Sequence, residues 1–253
     1  MQRADFFADI YRWDWPPFGL HVPLFFPALS SIAAVFTGLT TEVTRLLPDK
    51  RLKPVEVMPG RSLVSIAAVE YRESDLGAYN ELAILLPVAF GRHSLPALDV
   101  LWRGLGRALN VYVWQIAVTS QHSREVGAAL ASYPKYVADV RFDREGSRVR
   151  CALAHDGQPA LALICDAEDT VGERDLKVRA YTMKQGVPLV STMLVRQTRW
   201  RDHLQRDAAR LELFEGLLAD TLRQLQLSDR PLASQCCSQA QAMLFFPRNV
   251  IDD

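Results

Sequence analysis

Residues Val140 to Cys165 read VRFDREGSRVRCALAHDGQPALALIC, and this pattern decides the fold class. Three strand-like runs, Val140 to Phe142, Ser147 to Ala154 and Ala160 to Cys165, are separated by the turns DREG and HDGQ. Alternation with a period of two puts successive side chains on opposite faces of a strand. Asp156-Gly157 between two such runs is a strong hairpin signal, because both residue types accept the positive φ that a tight hairpin turn requires. On the C-terminal side, Lys177 to Met183 and Val187 to Arg196 add two strand candidates. On the N-terminal side stand Val111 to Val118, Glu81 to Phe90 (ELAILLPVAF), Arg61 to Tyr71 (RSLVSIAAVEY) and Leu29 to Phe36, with RESDLGAYN linking the two middle runs. Short strands at this pitch predict a mainly β fold, antiparallel and closed into a barrel or sandwiched, with a few short helices.

The helices are few and have identifiable ends. Thr40 or Thr41 caps a short helix that runs to Leu47 and is stopped by Pro48. Ser120 caps a second through SREVGAALAS, which ends at Tyr133-Pro134 because a residue before proline is pushed out of the helical region. One segment reads both ways. Leu204, Ala208, Leu211, Phe214, Leu218, Leu222 and Leu225 follow helical spacing, whereas Arg210 to Phe214 alternates like a strand.

With 253 residues and 49% apolar content the chain can bury a sizeable core. No repeat or low-complexity tract divides it, so it is read as an aromatic N-terminal arm, residues 1–21, and a single domain, residues 22–253. The arm carries Phe6, Phe7, Tyr11, Trp13, Trp15 and Phe18, which either cover the protein's own core or mark an oligomer interface. The 29 basic residues balance 29 acidic ones, so total charge points to no nucleic-acid or anionic-membrane partner. The N-terminus lacks a secretory apolar core, and the apolar stretch Val22 to Leu39 is interrupted by Pro23, Pro27, Ser30 and Ser31, short of a membrane span. A cytoplasmic protein is expected. Cys151, Cys165, Cys236 and Cys237 lack metal-ligand spacing and read as reduced, structural thiols. RGLGR, residues 103–107, lacks the third glycine and following helix of a dinucleotide fingerprint and reads as a turn. No metal and no cofactor are expected.

Only five of the 29 basic residues are lysines, at positions 50, 53, 135, 177 and 184. Lys135 stands apart, following Tyr133-Pro134 at a helix end and opening the apolar run Tyr136, Val137, Ala138. Burial there disfavours the charged form, and the neutral amine is a nucleophile; the competing reading is a lysine that reaches solvent from a strand end. His122, in the first turn of the preceding helix, either approaches such a site or faces water. His155 lies in a hairpin turn.

Three blocks then resemble the acetoacetate decarboxylase family: Gly77-Ala78-Tyr79-Asn80-Glu81 with Pro87-Val88 downstream; Gly127 through Ser132-Tyr133-Pro134-Lys135; and Leu211-Glu212-Leu213-Phe214 with Pro247-Arg248. The resemblance spans about Val22 to Val250. It implies a β-rich closed barrel, a homo-oligomer, a small-molecule oxo acid or ketone as substrate, and a Schiff base on Lys135, with Glu81 holding the amine or moving protons and Tyr79 beside it. It turns Arg210 to Phe214 toward strand. The departures are informative. Desolvation or a cationic neighbour activates the amine in acetoacetate decarboxylase, but Tyr136 occupies the place of the second lysine, so only desolvation remains. Leu29 and Ile66 fall where the family places a charged arginine and glutamate, which makes Leu29, Ile66 and Tyr136 candidate apolar substrate contacts. Arg72, Arg92 or Arg103 would then have to receive a substrate carboxylate. The expected activity is a cofactor-free lyase that decarboxylates a β-keto acid. An aldolase or dehydratase using the same amine, or a non-catalytic binder that keeps only the pocket, are the alternatives.

Overall fold

The computed structural model describes residue 7 and residues 10–91 and 108–250. Along the described chain run β1 (Trp13–Trp15), β2 (Leu20–Val22), β3 (Leu24–Leu39), α1 (Thr40–Arg45), β4 (Leu52–Pro54), β5 (Glu56–Met58), β6 (Arg61–Glu73), β7 (Tyr79–Phe90), β8 (Ala108–Val118), α2 (Gln121–Ala131) and β9 (Lys135–Val137). The second half holds β10 (Asp139–Glu145), β11 (Arg148–His155), β12 (Gln158–Asp166), β13 (Thr170–Lys184), β14 (Val187–His203), β15 (Ala209–Leu213), α3 (Leu217–Gln224), β16 (Ala233–Leu244) and β17 (Arg248–Asn249).

Seven of these strands close a barrel in the order β7-β6-β3-β16-β14-β13-β8, with β8 returning to β7. An odd ring cannot be antiparallel throughout, since alternating directions around seven strands leave two neighbours pointing the same way. That parallel seam is β8 against β13, Ala108 to Tyr112 beside Lys177 to Tyr181. The short β9 continues from β8 in parallel too. The expected barrel is therefore present, but not wholly antiparallel.

The stretch Val140 to Cys165 forms β10, β11 and β12 with Asp156-Gly157 in the hairpin turn at positive φ. Together with β15 they make a separate four-stranded sheet. It packs on the outer face of the barrel: Val149, Cys151, Leu153, Leu161 and Leu163 meet Ile32, Phe36, Val64, Ile66, Leu82 and Ile84 in one buried cluster. Before the bulge between Ala28 and Leu29, β3 turns Leu24 and Phe26 to the barrel cavity; beyond it, as on β6 and on β7 up to Pro87, the even-numbered side chains face the sheet. The odd-numbered ones face the barrel interior, as a period of two demands.

The two-way segment divides at Gly216. Residues before it pair as β15 with β12, and those after it form α3, with Leu222 and Leu225 buried. Gly216 stands at the helix start with a φ of 114°, a conformation that keeps strand and helix from merging. In the arm, Phe7 is buried against Phe25 and Trp15 packs on Phe18 and Phe246, while Tyr11 and Trp13 are exposed. All four cysteines are buried free thiols. Among the described residues no helix is long and apolar enough to cross a membrane. The RGLGR turn, Arg92 and Arg103 lie outside the described residues.

Candidate active site

The barrel interior holds a cavity of about 610 Å³. Lys135 enters its wall by a local route written in the sequence. The Ser120 hydroxyl accepts the Ser123 N–H and caps α2, whose Ser123, Gly127 and Leu130 share the face turned to the barrel. The helix closes on Ser132 in the left-handed region, its N–H bonded to the carbonyls of Ala128 and Gly127. Pro134 then holds Tyr133 extended, and Lys135 starts β9 beside Ile116 of β8. Alternation sends Lys135 inward and Tyr136 outward.

The Lys135 side chain is 8% exposed, and its Nζ donates to Glu81 Oε2 at 2.9 Å and to Ser123 Oγ at 3.0 Å. Glu81, on β7, is itself only 12% exposed on its side chain. A buried carboxylate demands a partner, and the amine supplies it. Tyr79 and Tyr133 present their rings to Nζ at 5.5 and 6.0 Å. Tyr71 stacks on Tyr79 with ring centroids 4.5 Å apart, and the Tyr79 hydroxyl lies near those of Tyr71 and Ser123, the last of which accepts from the amine. Burial, reinforced by the Glu81 charge, holds the Tyr71 and Tyr79 hydroxyls well above the usual phenol range. Tyr133 is pushed up to about 12, chiefly by burial. All three therefore stay neutral; the Tyr133 hydroxyl is bonded to buried Ser191, which leaves Tyr71 and Tyr79 as the phenols able to donate to an oxygen in the cavity.

Gly127 lies where the lysine stem passes. A Cβ there would sit 2.8 Å from Lys135 Cδ and 3.0 Å from Cε, which is a physical reason for glycine eight residues before the lysine.

The structure brings Lys135, Glu81, Tyr79 and Leu29 to one cavity. It places Ile66 and Tyr136 elsewhere, and those two expectations are corrected. Ile66 pairs with Ile84 on the barrel's outer face and is buried in the inter-sheet core; the β6 residue opposite Glu81 is Val69, so Ala67 and Val69 share the glutamate's face. Tyr136 packs into the same inter-sheet layer, edge-on to His155. His122 is exposed against Phe18. Arg72 donates to the Leu29 and Ser238 carbonyls outside the cavity. Among the described lining residues no arginine occurs, and Glu81 and Lys135 are the charged pair. Gly127 stood out in the sequence only as the head of the Tyr133-Pro134-Lys135 block, and Ser123 and Tyr71 were not singled out; the spacing of Ser123 and Gly127, one helical turn apart and both small, was the available signal for Ser123.

Comparison with solved structures finds the same fold at low sequence identity. An acetoacetate decarboxylase is 15% identical with a TM-score of 0.61, covering 90% of this chain and 89% of its own. The acetoacetate decarboxylase of Legionella pneumophila is 12% identical with a TM-score of 0.62, covering 90% and 87%. The enduracididine biosynthesis enzyme MppR, in complex with pyruvate, is 15% identical with a TM-score of 0.62, covering 96% and 98%. Comparison with curated proteins finds no match. The acetoacetate decarboxylase family model, however, matches residues 21–235, which include the barrel strands from β3 to the start of β16 and the buried Lys135–Glu81 pair. On that match the chain belongs to the acetoacetate decarboxylase family.

Proposed function

We propose that this enzyme is a Schiff-base-forming lyase that decarboxylates a β-keto acid through Lys135. The observation that carries the reading is the lysine amine inside a largely apolar cavity, 2.9 Å from the Glu81 carboxylate. Glu81 accepts a proton from the ammonium, and the freed amine attacks the keto carbon. The carbinolamine loses water to give an iminium. The bond to the carboxylate carbon then breaks, CO2 leaves, and the electron pair passes into the iminium to form an enamine. Protonation of the enamine carbon, with Glu81 as the proton donor, and hydrolysis of the iminium release a ketone and restore the amine. One proton is consumed per CO2 released. Apolar walls favour this step, because a carboxylate stripped of water loses less on dispersing its charge.

The cluster of hydroxyls on Tyr71, Tyr79 and Ser123 favours a second reading, aldol cleavage or dehydration on the same iminium, since cleavage takes a proton from a substrate hydroxyl and dehydration delivers one to it. MppR, of the same fold, has been crystallised with a condensation product of pyruvate and imidazole 4-carboxaldehyde.

Borohydride treatment with a panel of ketones and oxo acids is expected to add substrate mass at Lys135, located by peptide mass spectrometry. Release of CO2 distinguishes the first reading from the second. A folded protein that yields no adduct at Lys135 with any carbonyl compound would overturn both.

A further inference from the structure

The interior is much larger than a four-carbon oxo acid needs, and the strand register shows why. Side chains just fill an eight-stranded barrel, and a ring of seven is narrower still, yet about 610 Å³ remains open. Ala33 pairs with Ala67, and Ala67 with Ala83. Three adjacent strands thus present only methyl groups to the lumen, two residues along β7 from Glu81. Beyond this row the wall is predominantly aliphatic, with Leu85, Pro87, Val55 and Leu176 beside the polar Ser65, Asn110 and Gln197.

Burial confirms that the inside is space rather than core. On β6 the inward Ser65, Ala67 and Val69 are half-buried while the outward Val64, Ile66 and Ala68 are buried, and β3 repeats the pattern with Ser31, Ala33 and Val35 against Ile32, Ala34 and Phe36. A filled barrel would show the reverse. Two residues lining the aliphatic part, Leu109 and Leu204, are 36% and 68% exposed, so the cavity meets solvent there.

We propose that the substrate is a 3-oxo acid bearing a long alkyl chain. Its keto carbon sits at Lys135 and its chain runs along Ala33, Ala67 and Ala83 into the aliphatic part of the lumen. This assignment rests on the amine chemistry proposed above. At ~30 Å³ per non-hydrogen atom, the share of one water in the liquid, the lumen accommodates roughly twenty such atoms, hence an acyl chain of roughly ten to sixteen carbons. The products are CO2 and the methyl ketone shorter by that one carbon.

The test is a homologous series of 3-oxo acids, from acetoacetate to 3-oxotetradecanoate, assayed for CO2 release, with the matching methyl ketones used for borohydride trapping. The expected result is a gain of about fourfold in kcat/KM per added methylene until the lumen is full, with Ala67→Phe reversing the ranking of long and short acids. Independently of that variant, decanoate is expected to displace the fluorescent fatty acid cis-parinarate from the wild-type protein. Equal adduct formation and equal rates along the series, with no cis-parinarate binding, would overturn the chain assignment while leaving the amine chemistry standing. Failure of every ketone, short or long, to label Lys135 would overturn the chemistry and the substrate assignment with it.

Discussion

Gly127 is the residue whose substitution best separates the site from the fold. It sits inside α2, where alanine is the better helix former by about 1 kcal/mol, yet its missing methyl group is what lets Lys135 pass at 2.8 Å from the ideal Cβ position. Gly127→Ala is expected to leave the melting temperature nearly unchanged and to cut borohydride labelling of Lys135 at least ~10-fold, since 1.4 kcal/mol of misplacement is enough. Glu81→Gln keeps an acceptor near Nζ but removes the proton-accepting carboxylate. On the proposed chemistry kcat should fall by about 10²- to 10⁴-fold, read by CO2 release, with substrate affinity much less affected. Lys135 and Glu81 could be identified in the sequence because each lies in a compact local block. Tyr71 and Ser123 could not: they meet the amine only because β6, β7 and α2 converge, and no spacing rule encodes that convergence.

For the strands, parity governs what each substitution does. Ile66 and Ala67 are neighbours with opposite fates, one in the inter-sheet core and the other on the lumen. Ile66→Glu would bury an unpaired carboxylate and is expected to cost at least ~3 kcal/mol in urea unfolding, whereas Ala67→Ser should shift stability by less than about 1 kcal/mol. The sequence reading put Ile66 at the site because counting along a strand carries an error of one residue easily, and one residue reverses the face. Strand existence was far easier to read. Alternation in Ser147 to Ala154 and the Asp156-Gly157 turn gave β11 and β12 directly. The parallel seam was invisible beforehand, because pairing direction between strands as distant as β8 and β13 leaves no local mark. Residues 204–225 read as both helix and strand because they contain both, β15 and α3, joined at Gly216.

Across the whole molecule, the buried ionisable groups set the response to alkali. Burial raises the Cys236 thiol from 9.0 to about 11 and Cys237 to about 12, raises Cys151 and Cys165 further, and holds Tyr133 at about 12. These groups keep their protons in the folded protein after the unfolded chain has lost them, so the unfolded state binds fewer protons and stability falls as pH rises. The contribution is intact below about pH 9, the ordinary thiol value, and erodes by about 1.4 kcal/mol per pH unit for each group ionised only in the unfolded chain. Urea midpoints should therefore decline progressively from pH 9 to 12, and a flat profile there would contradict the burial of these side chains. The odd number of staves has a temporal counterpart. Glu81, Ser123, Gly127, Tyr133 and Lys135 all precede residue 136, but the ring is shut only when β13 docks on β8 and β14 and β16 complete the circuit. During synthesis Lys135 and Glu81 are made well before the C-terminal half that encloses them, so the amine's shelter from water waits on strands the ribosome has yet to supply.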